Sequence, residues 1–180
     1  MEQVKTLLDS FNWRYVLRMG LFAGIVILYA GLMGMIKSFN EREVIRDLIT
    51  LGQLILILPP FIASYIVARR LQEENAKFLV ILGAGAVVGL VAAIPTVLLL
   101  IVNQASDDTV RNILTNVDRD WVEIITLDNR SDLLMGSLLL IGSLAVAGLL
   151  GSVLRFIPEK LRRALIYGTA LTLMIGTFGK

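Results

Sequence analysis

The chain has 180 residues, of which 56% are hydrophobic and 18% are charged, and its mean hydropathy is +0.76. It contains no cysteine and no histidine, which excludes disulfide frameworks, thiolate metal sites and the usual ligands of haem, iron–sulfur clusters and catalytic zinc. The net charge of +2 and the pI of 9.1 come from short basic connectors, and the lack of a long basic stripe argues against nucleic-acid binding.

Four long segments without any ionised side chain dominate the sequence. Each has about the 17–25 residues needed to cross a hydrocarbon core of roughly 30 Å as a helix. A shorter apolar segment near the C-terminus predicts a short fifth span. We therefore predict an all-α protein, a polytopic transmembrane helix bundle that forms one integral membrane domain. The long spans are Met19–Ile36, Leu48–Val67, Phe78–Val102 and Leu133–Leu154, and the short one is Ala164–Phe178.

The second and third spans carry the main polar candidates. Gln53 lies near the start of the second span and predicts either an interhelical hydrogen bond or a contact with a transported substrate, because an amide in hydrocarbon needs a partner. Pro59 and Pro60 remove two backbone donors from the same helix and predict a kink, either a static bend or a hinge that lines a pathway. Thr96, beside Pro95 in the third span, is the other candidate lining residue.

The connector 103–132 carries apolar residues at helical spacing, opposite a charged face. This pattern predicts an amphipathic helix outside the hydrocarbon. Two alternatives remain open for it. The helix lies on the headgroups or on the chain's own spans, or its apolar face docks a neighbouring subunit or an external partner. The candidate docking residues are Val110, Ile113, Leu114, Val117, Trp121 and Ile124.

Small residues recur at intervals of four in several spans, a spacing that lets two helices approach closely. They predict close packing within a compact bundle, or contacts with other chains. The small-residue ridges are Gly20 and Gly24 in the first span, Gly85, Gly89 and Ala93 in the third, Ser143, Ala147 and Gly151 in the fourth, and Gly168, Thr172 and Gly176 in the last.

The connector charges predict the orientation in the membrane. The side that holds the N-terminus has ten basic and five acidic residues, including the pairs Arg69-Arg70 and Arg162-Arg163. The other side has seven basic and ten acidic residues, and seven of those acids lie in the connector 103–132. Because cytoplasmic connectors carry the excess of Lys and Arg, we expect a cytoplasmic N-terminus and an external connector 103–132.

The chain lacks the residue patterns of a self-contained enzyme. A Ser–His–Asp arrangement cannot be built without histidine, and no Gly-rich phosphate loop with an adjoining Lys and Ser or Thr occurs. No Asp, Glu, Lys or Arg lies inside the four long spans, whereas pumps and ion-coupled carriers normally place one near mid-membrane. We therefore predict that the protein is not an enzyme and holds no cofactor.

Two stretches carry a resemblance to a known family. The sequence of Arg42–Arg70, REVIRDLITLGQLILILPPFIASYIVARR, resembles extra N-terminal membrane segments of bacterial branched-chain amino acid ABC transporter permeases, and Phe156–Phe178, FIPEKLRRALIYGTALTLMIGTF, is similar to them as well. The resemblance covers most of the chain and rests on an acidic–basic entry, a Leu-Gly-Gln step and an Arg-Arg exit. The loop through which such permeases contact their ATPase is not recognisable.

The resemblance implies the accessory N-terminal part of a permease in the bacterial inner membrane, which works with an ATPase and an external binding protein. The chain would then be one component of a transport system and would not transport alone. The alternative is a non-catalytic structural or assembly subunit of a larger membrane complex, which the lack of mid-membrane charge favours. Both hypotheses place the chain in a lipid bilayer beside other membrane subunits, without nucleic acid.

Overall fold

The protein is described by a computed structural model that covers residues 12–45, 49–105, 119–125 and 133–178. A 3-10 turn, Leu154–Phe156, follows the helix that ends at Val153. Two very short antiparallel strands, Glu43–Ile45 and Ile49–Thr50, lie between the helix that ends at Ser38 and the helix that begins at Leu51. The all-α class predicted from the sequence is confirmed. The helices are α1 (Trp13–Leu32), α2 (Met35–Ser38), α3 (Leu51–Glu73), α4 (Phe78–Ala105), α5 (Arg119–Ile125), α6 (Leu133–Val153) and α7 (Glu159–Phe178).

Within the described residues, α1, α3, α4 and α6 are long and apolar enough to cross a membrane, so the protein is a multi-pass membrane protein. Several of them extend beyond the predicted spans. The 28 residues of α4 correspond to about 42 Å of helix, which is more than a hydrocarbon core requires. α1 begins already at Trp13 and α3 ends only at Glu73, because polar and aromatic residues continue both helices into the headgroup region.

The predicted first span is divided into two helices. α1 ends at Leu32, and Gly34 then adopts a φ of 75°, a left-handed conformation that glycine reaches without steric cost. α2 starts directly after this glycine. The prediction of one continuous span over Met19–Ile36 is therefore wrong at its C-terminal end. Hydropathy gave no sign of the break because the residues on both sides of Gly34 are apolar.

The two central helices of the bundle are α3 and α4, which pack against each other. α1 and α6 lie on opposite sides of this pair, and each packs against both central helices. In the described part of the chain, α1 and α6 are not in close contact with each other. α1 and α4 run in one direction and α3 and α6 run in the other, because the starts of the first two lie beside the ends of the other two. The four helices share one buried apolar core.

Glycines set the separation of the long helices. A Cβ atom at Gly89 would overlap the carbonyl oxygen of Leu144, and one at Gly85 would lie 2.6 Å from the carbonyl oxygen of Gly148, so α4 and α6 touch backbone to backbone. In the same way, a Cβ at Gly24 of α1 would lie 2.5 Å from the carbonyl oxygen of Ala92 in α4. The glycines of the first three predicted ridges thus lie at helix contacts inside the bundle, as close packing requires.

Two aromatic contacts define one end of the bundle. The guanidinium carbon of Arg70, near the end of α3, lies 4.4 Å from the ring centroid of Tyr15 at the start of α1. The rings of Phe78, at the start of α4, and Phe156, after α6, meet edge to face with centroids 4.7 Å apart. We call this the basic end. It comprises the starts of α1, α4 and α7 and the ends of α3 and α6.

Candidate functional site

The start of α3 lies at the opposite end of the bundle and is fixed by a capping box. The backbone N–H of Gln53 donates to the Thr50 hydroxyl at 3.1 Å, and the backbone N–H of Thr50 donates to Gln53 Oε1 at 3.2 Å. The Thr50 hydroxyl in turn donates to Asn40 Oδ1 at 2.7 Å. Because these bonds satisfy donors that a helix start leaves without intrahelical partners, they fix the first turn and hold the α2–α3 connection against it.

This geometry gives the candidate Gln53 a local partner. The hydrogen bond of its side-chain oxygen stays within its own helix end, and the two predicted roles, an interhelical bond or a substrate contact, stay predictions. The sequence did hold the signal: Thr50-Leu51-Gly52-Gln53 has the Thr-x-x-Gln spacing of a capping box directly before an apolar run. Placing the span start at Leu48 hid this signal, because Thr50 then counted as an interior residue.

A polar pocket of about 450 Å³ opens beside this helix start, and we call its position the pocket end of the bundle. Its walls come from α2 and the turn that follows it, the last residue of the second strand, the first turn of α3, and α5. One basic and two acidic side chains face amide and hydroxyl groups there. The lining residues are Lys37, Asn40, Glu41, Thr50, Gln53, Glu123 and Ile124.

α5 closes the pocket end through a buried tryptophan. Trp121 is fully buried, and a Cβ atom at Gly31 of α1 would lie only 2.7 Å from its indole nitrogen, so the ring packs closely against this glycine. Ile125 is fully buried as well, and Ile124 nearly so. α5 contacts both α2 and α3, which brings Glu123 to the pocket wall.

These positions bear on the predicted docking face. Trp121 and Ile124 pack against the chain's own helices, which corresponds to the alternative in which the connector helix lies on the chain's own spans. They are therefore covered in the folded chain. The other docking candidates, Val110, Ile113, Leu114 and Val117, lie outside the described residues.

The remaining pathway candidates do not line the pocket. Pro59 and Pro60 lie inside α3, which continues through both residues, and Pro60 is buried. Thr96 is fully buried in α4, and its hydroxyl has no hydrogen-bond partner among the described residues. The structure thus joins Gln53 with Ile124 at one pocket and separates them from the two prolines and Thr96. Lys37, Asn40 and Glu41 were missed as lining residues because they follow the first predicted span, where hydropathy gives no sign of a pocket.

The cap at Thr50 leads to a first prediction. Thr50→Ala removes the hydroxyl that accepts from Gln53 N–H and donates to Asn40, and we expect a loss of about 1 kcal/mol in the free energy of unfolding. Equilibrium unfolding of the purified protein in mixed micelles measures it. Thr50→Ser keeps the hydroxyl and is the matched control, with an expected change within about 0.5 kcal/mol. Equal losses in both variants would contradict the capping role.

The last helix differs from the others in its packing. α7 packs closely against none of the other described helices, and every side chain that is described in it is exposed. It is 20 residues long because it begins at Glu159, before the predicted span Ala164–Phe178. Because it begins with several charged residues, α7 is not among the described helices that are long and apolar enough to cross a membrane. The fifth span therefore stays a prediction.

The described residues contain no group of three or more acidic, histidine or cysteine side chains that could hold a metal ion. In comparisons with known proteins, no family model, no curated protein and no solved structure matches this chain. The resemblance of Arg42–Arg70 to permease extensions therefore stays a prediction.

Proposed function

We propose that this protein is a non-catalytic assembly subunit of a larger membrane complex, in which the four-helix bundle is a rigid platform and α7 binds a partner subunit. The observation that carries the proposal is the contrast between the two parts. The bundle uses its small residues for contacts between its own helices, whereas α7 packs closely against none of the other described helices and a Cβ at its Gly168 meets no other atom within 4 Å.

The polar side chains inside the bundle support a platform. Ser64 donates to the carbonyl oxygen of Phe61 at 3.0 Å, Ser143 to that of Leu140 at 2.9 Å, and Ser152 to that of Leu149 at 2.7 Å. Each hydroxyl is thus satisfied within its own helix and does not point toward a transported solute. Together with backbone contacts between α4 and α6, this favours fixed packing over a bundle that opens and closes.

α7 supplies the surface for a partner. An isolated membrane helix gains from packing against another helix through van der Waals contact, most strongly where small residues allow close approach. The sequence places Gly168, Thr172 and Gly176 at such spacing, and no other atom of the described chain lies within 4 Å of a Cβ built at Gly168. A partner subunit's transmembrane helix would complete this contact.

A transport component is the second candidate, and the polar pocket favours it. The pocket combines Lys37 with Glu41 and Glu123, which suits a small charged solute or a docking binding protein. In this version the chain is the accessory N-terminal part of a permease that works with an ATPase and an external binding protein. Stimulation of a co-purified ATPase by a translocated ligand, and its loss in Gln53→Ala, would favour transport, whereas the assembly role predicts no stimulation.

We further propose that the protein lies in a bacterial inner membrane with its N-terminus and basic end in the cytoplasm. The excess of Lys and Arg among the connectors supports this orientation.

Cysteine crosslinking in native membranes tests the assembly role, because the natural chain has no cysteine to interfere. Leu171→Cys places one thiol on α7, and Leu150→Cys places one on the outer face of α6, with exposed fractions of 59% and 55% for the original side chains. We expect a thiol-reactive photocrosslinker at position 171 to give one discrete product with another membrane protein, several-fold above the yield at position 150.

The Leu150→Cys variant is the matched control, since the two side chains have similar exposed fractions in the folded chain. Equal yields at the two positions, or no discrete product at position 171, would remove the basis for the assembly role. A product of twice the chain's mass would identify the partner as a second copy.

A further inference from the structure

The described acids of the basic end are all engaged in ion pairs with arginines one helical turn away. The described acids at this end are Glu73, Glu74 and Glu159, and each pairs with an arginine four residues away. The distances are 3.2 Å for Arg69–Glu73 and 3.3 Å for Arg70–Glu74, and Arg163 pairs with Glu159. These acids therefore leave little negative charge for other cations at this end.

Further cations lie at the same end without an ion pair among the described residues. They lie in the first two turns of α1, directly before α4, in the first turn of α7 and in the 3-10 turn after α6, so they surround the end of the bundle. They are Arg14, Arg18, Lys77, Arg155 and Lys160.

Arg155 and Lys77 belong to one corner of this end. Phe156 and Phe78, whose rings meet with centroids 4.7 Å apart, follow Arg155 and Lys77 directly in the sequence. The 3-10 turn also packs against α3, which closes the corner from a second side. We call it the Arg155 corner, and it comprises Lys77, Phe78, Arg155 and Phe156.

The Arg155 corner contains a buried donor that lacks an acceptor. The Nε atom of Arg155 is buried, and no described residue accepts a hydrogen bond from it. Burying a guanidinium N–H without an acceptor is costly, and an anion bound at the accessible part of the same half-buried side chain would offset that cost. Beside the corner, Leu79 is one of the most exposed apolar side chains of the protein. A ligand that fits therefore combines a negative group with an apolar tail.

We infer that the Arg155 corner binds the phosphate of an anionic phospholipid. Guanidinium and ammonium groups donate charge-assisted hydrogen bonds to phosphate oxygens, so the accessible part of the half-buried Arg155 and the exposed Lys77 would hold the phosphate. The acyl chains then lie along the apolar surface that begins at Leu79 and continues along α4. A lipid with a net negative charge is favoured over a zwitterionic one because cations of this end exceed the acids available to them.

Native mass spectrometry of the full chain tests this inference. The delipidated protein in mild detergent is titrated with dioleoyl phosphatidylglycerol or with dioleoyl phosphatidylcholine, and bound lipids are counted. We expect tighter binding of phosphatidylglycerol, and a loss of about fivefold in its affinity for each of Lys77→Gln and Arg155→Gln, the contribution of one basic residue near an anionic surface. Lys77 is exposed, so Lys77→Gln decides the result if Arg155→Gln fails to fold.

Arg42→Gln is the matched control, because it removes one positive charge at the pocket end, where Arg42 lies over the ring of Phe39. We expect its affinity for phosphatidylglycerol to stay within twofold of the natural chain's, because Arg42 is too far from the Arg155 corner to contact a lipid bound there. A lipid attracted only by the net charge of the protein would be weakened equally by either substitution. Equal binding of the two lipids would overturn the inference. An Arg42→Gln effect as large as that of Lys77→Gln would overturn it too.

Inorganic phosphate alone separates a lipid from a soluble ligand. We expect a large excess of phosphate to leave bound phosphatidylglycerol in place, because phosphate lacks the acyl chains that contact the apolar surface beside Leu79. Complete displacement by phosphate would show that the corner takes a free anion, and the lipid inference would be overturned. None of these outcomes depends on whether α7 binds a partner subunit.

Discussion

Replacing Trp121 by alanine is expected to lower the free energy of unfolding by about 3–5 kcal/mol, the range for truncating a fully buried aromatic side chain. The loss is large because the indole fills the space between α5 and Gly31 of α1 and no nearby side chain can replace it. The same change should enlarge the pocket, since Glu123 and Ile124 of α5 form part of its wall.

Unfolding in mixed micelles measures this effect. Trp121→Phe keeps an aromatic ring and is the matched variant, for which we expect a clearly smaller loss. The chain has two tryptophans, so Trp13→Phe leaves Trp121 as the only tryptophan, whose emission can be excited selectively. We expect its emission to resist quenching by acrylamide in the folded state. Quenching as strong as that of a free indole would contradict the burial of Trp121.

Replacing Gly89 by alanine is expected to lower the free energy of unfolding by about 2 kcal/mol, and bulkier residues should lower it further. The added methyl group would overlap the carbonyl oxygen of Leu144, and rigid backbone on both sides leaves no side chain that could move away. Because helix association in a membrane depends on van der Waals contact, separating α4 from α6 loses contacts along the whole interface.

Gly83 provides the control in the same helix. A Cβ atom there meets no other atom within 4 Å, so Gly83→Ala keeps the packing and gains up to about 1 kcal/mol from the higher helix propensity of alanine. Unfolding both variants by titration with denaturing detergent compares them directly. Similar stabilities for Gly83→Ala and Gly89→Ala would contradict the close contact between α4 and α6.

The small-residue ridges show what sequence spacing can predict about helix contacts and what it cannot. Spacing of four predicted close helix contacts for Gly24 and Gly89 and equally for Gly168. In the folded chain the first two touch the backbone of α4 and α6, while a Cβ at Gly168 meets nothing. The spacing is the same in all three helices, because it shows only that the surface of a helix allows another helix to approach closely. Which surface is used depends on the neighbouring helix, which sequence spacing does not identify.

Gln53 shows a different limit. Its position after Thr50 matches a capping box, a local signal that sequence reading can detect. Its place on the wall of a polar pocket depends on α5, which is distant in sequence and brings Glu123 and Ile124 to the same point. Local hydrogen bonds can thus be predicted from residue types and their spacing. Predicting a pocket requires knowing how the folded chain brings distant segments together.

The sequence by itself determined that the protein is an all-α, multi-pass membrane protein, because long apolar segments without charge are stable only as helices in hydrocarbon, where every backbone group must be bonded internally. Only the tertiary structure decided that the predicted first span breaks at Gly34, that Trp121 is covered by the chain's own helices and that Gly168 is left outside the bundle. The physical reason is that hydropathy measures the transfer of each segment into the membrane, while contacts between segments depend on shapes that meet only in the folded chain.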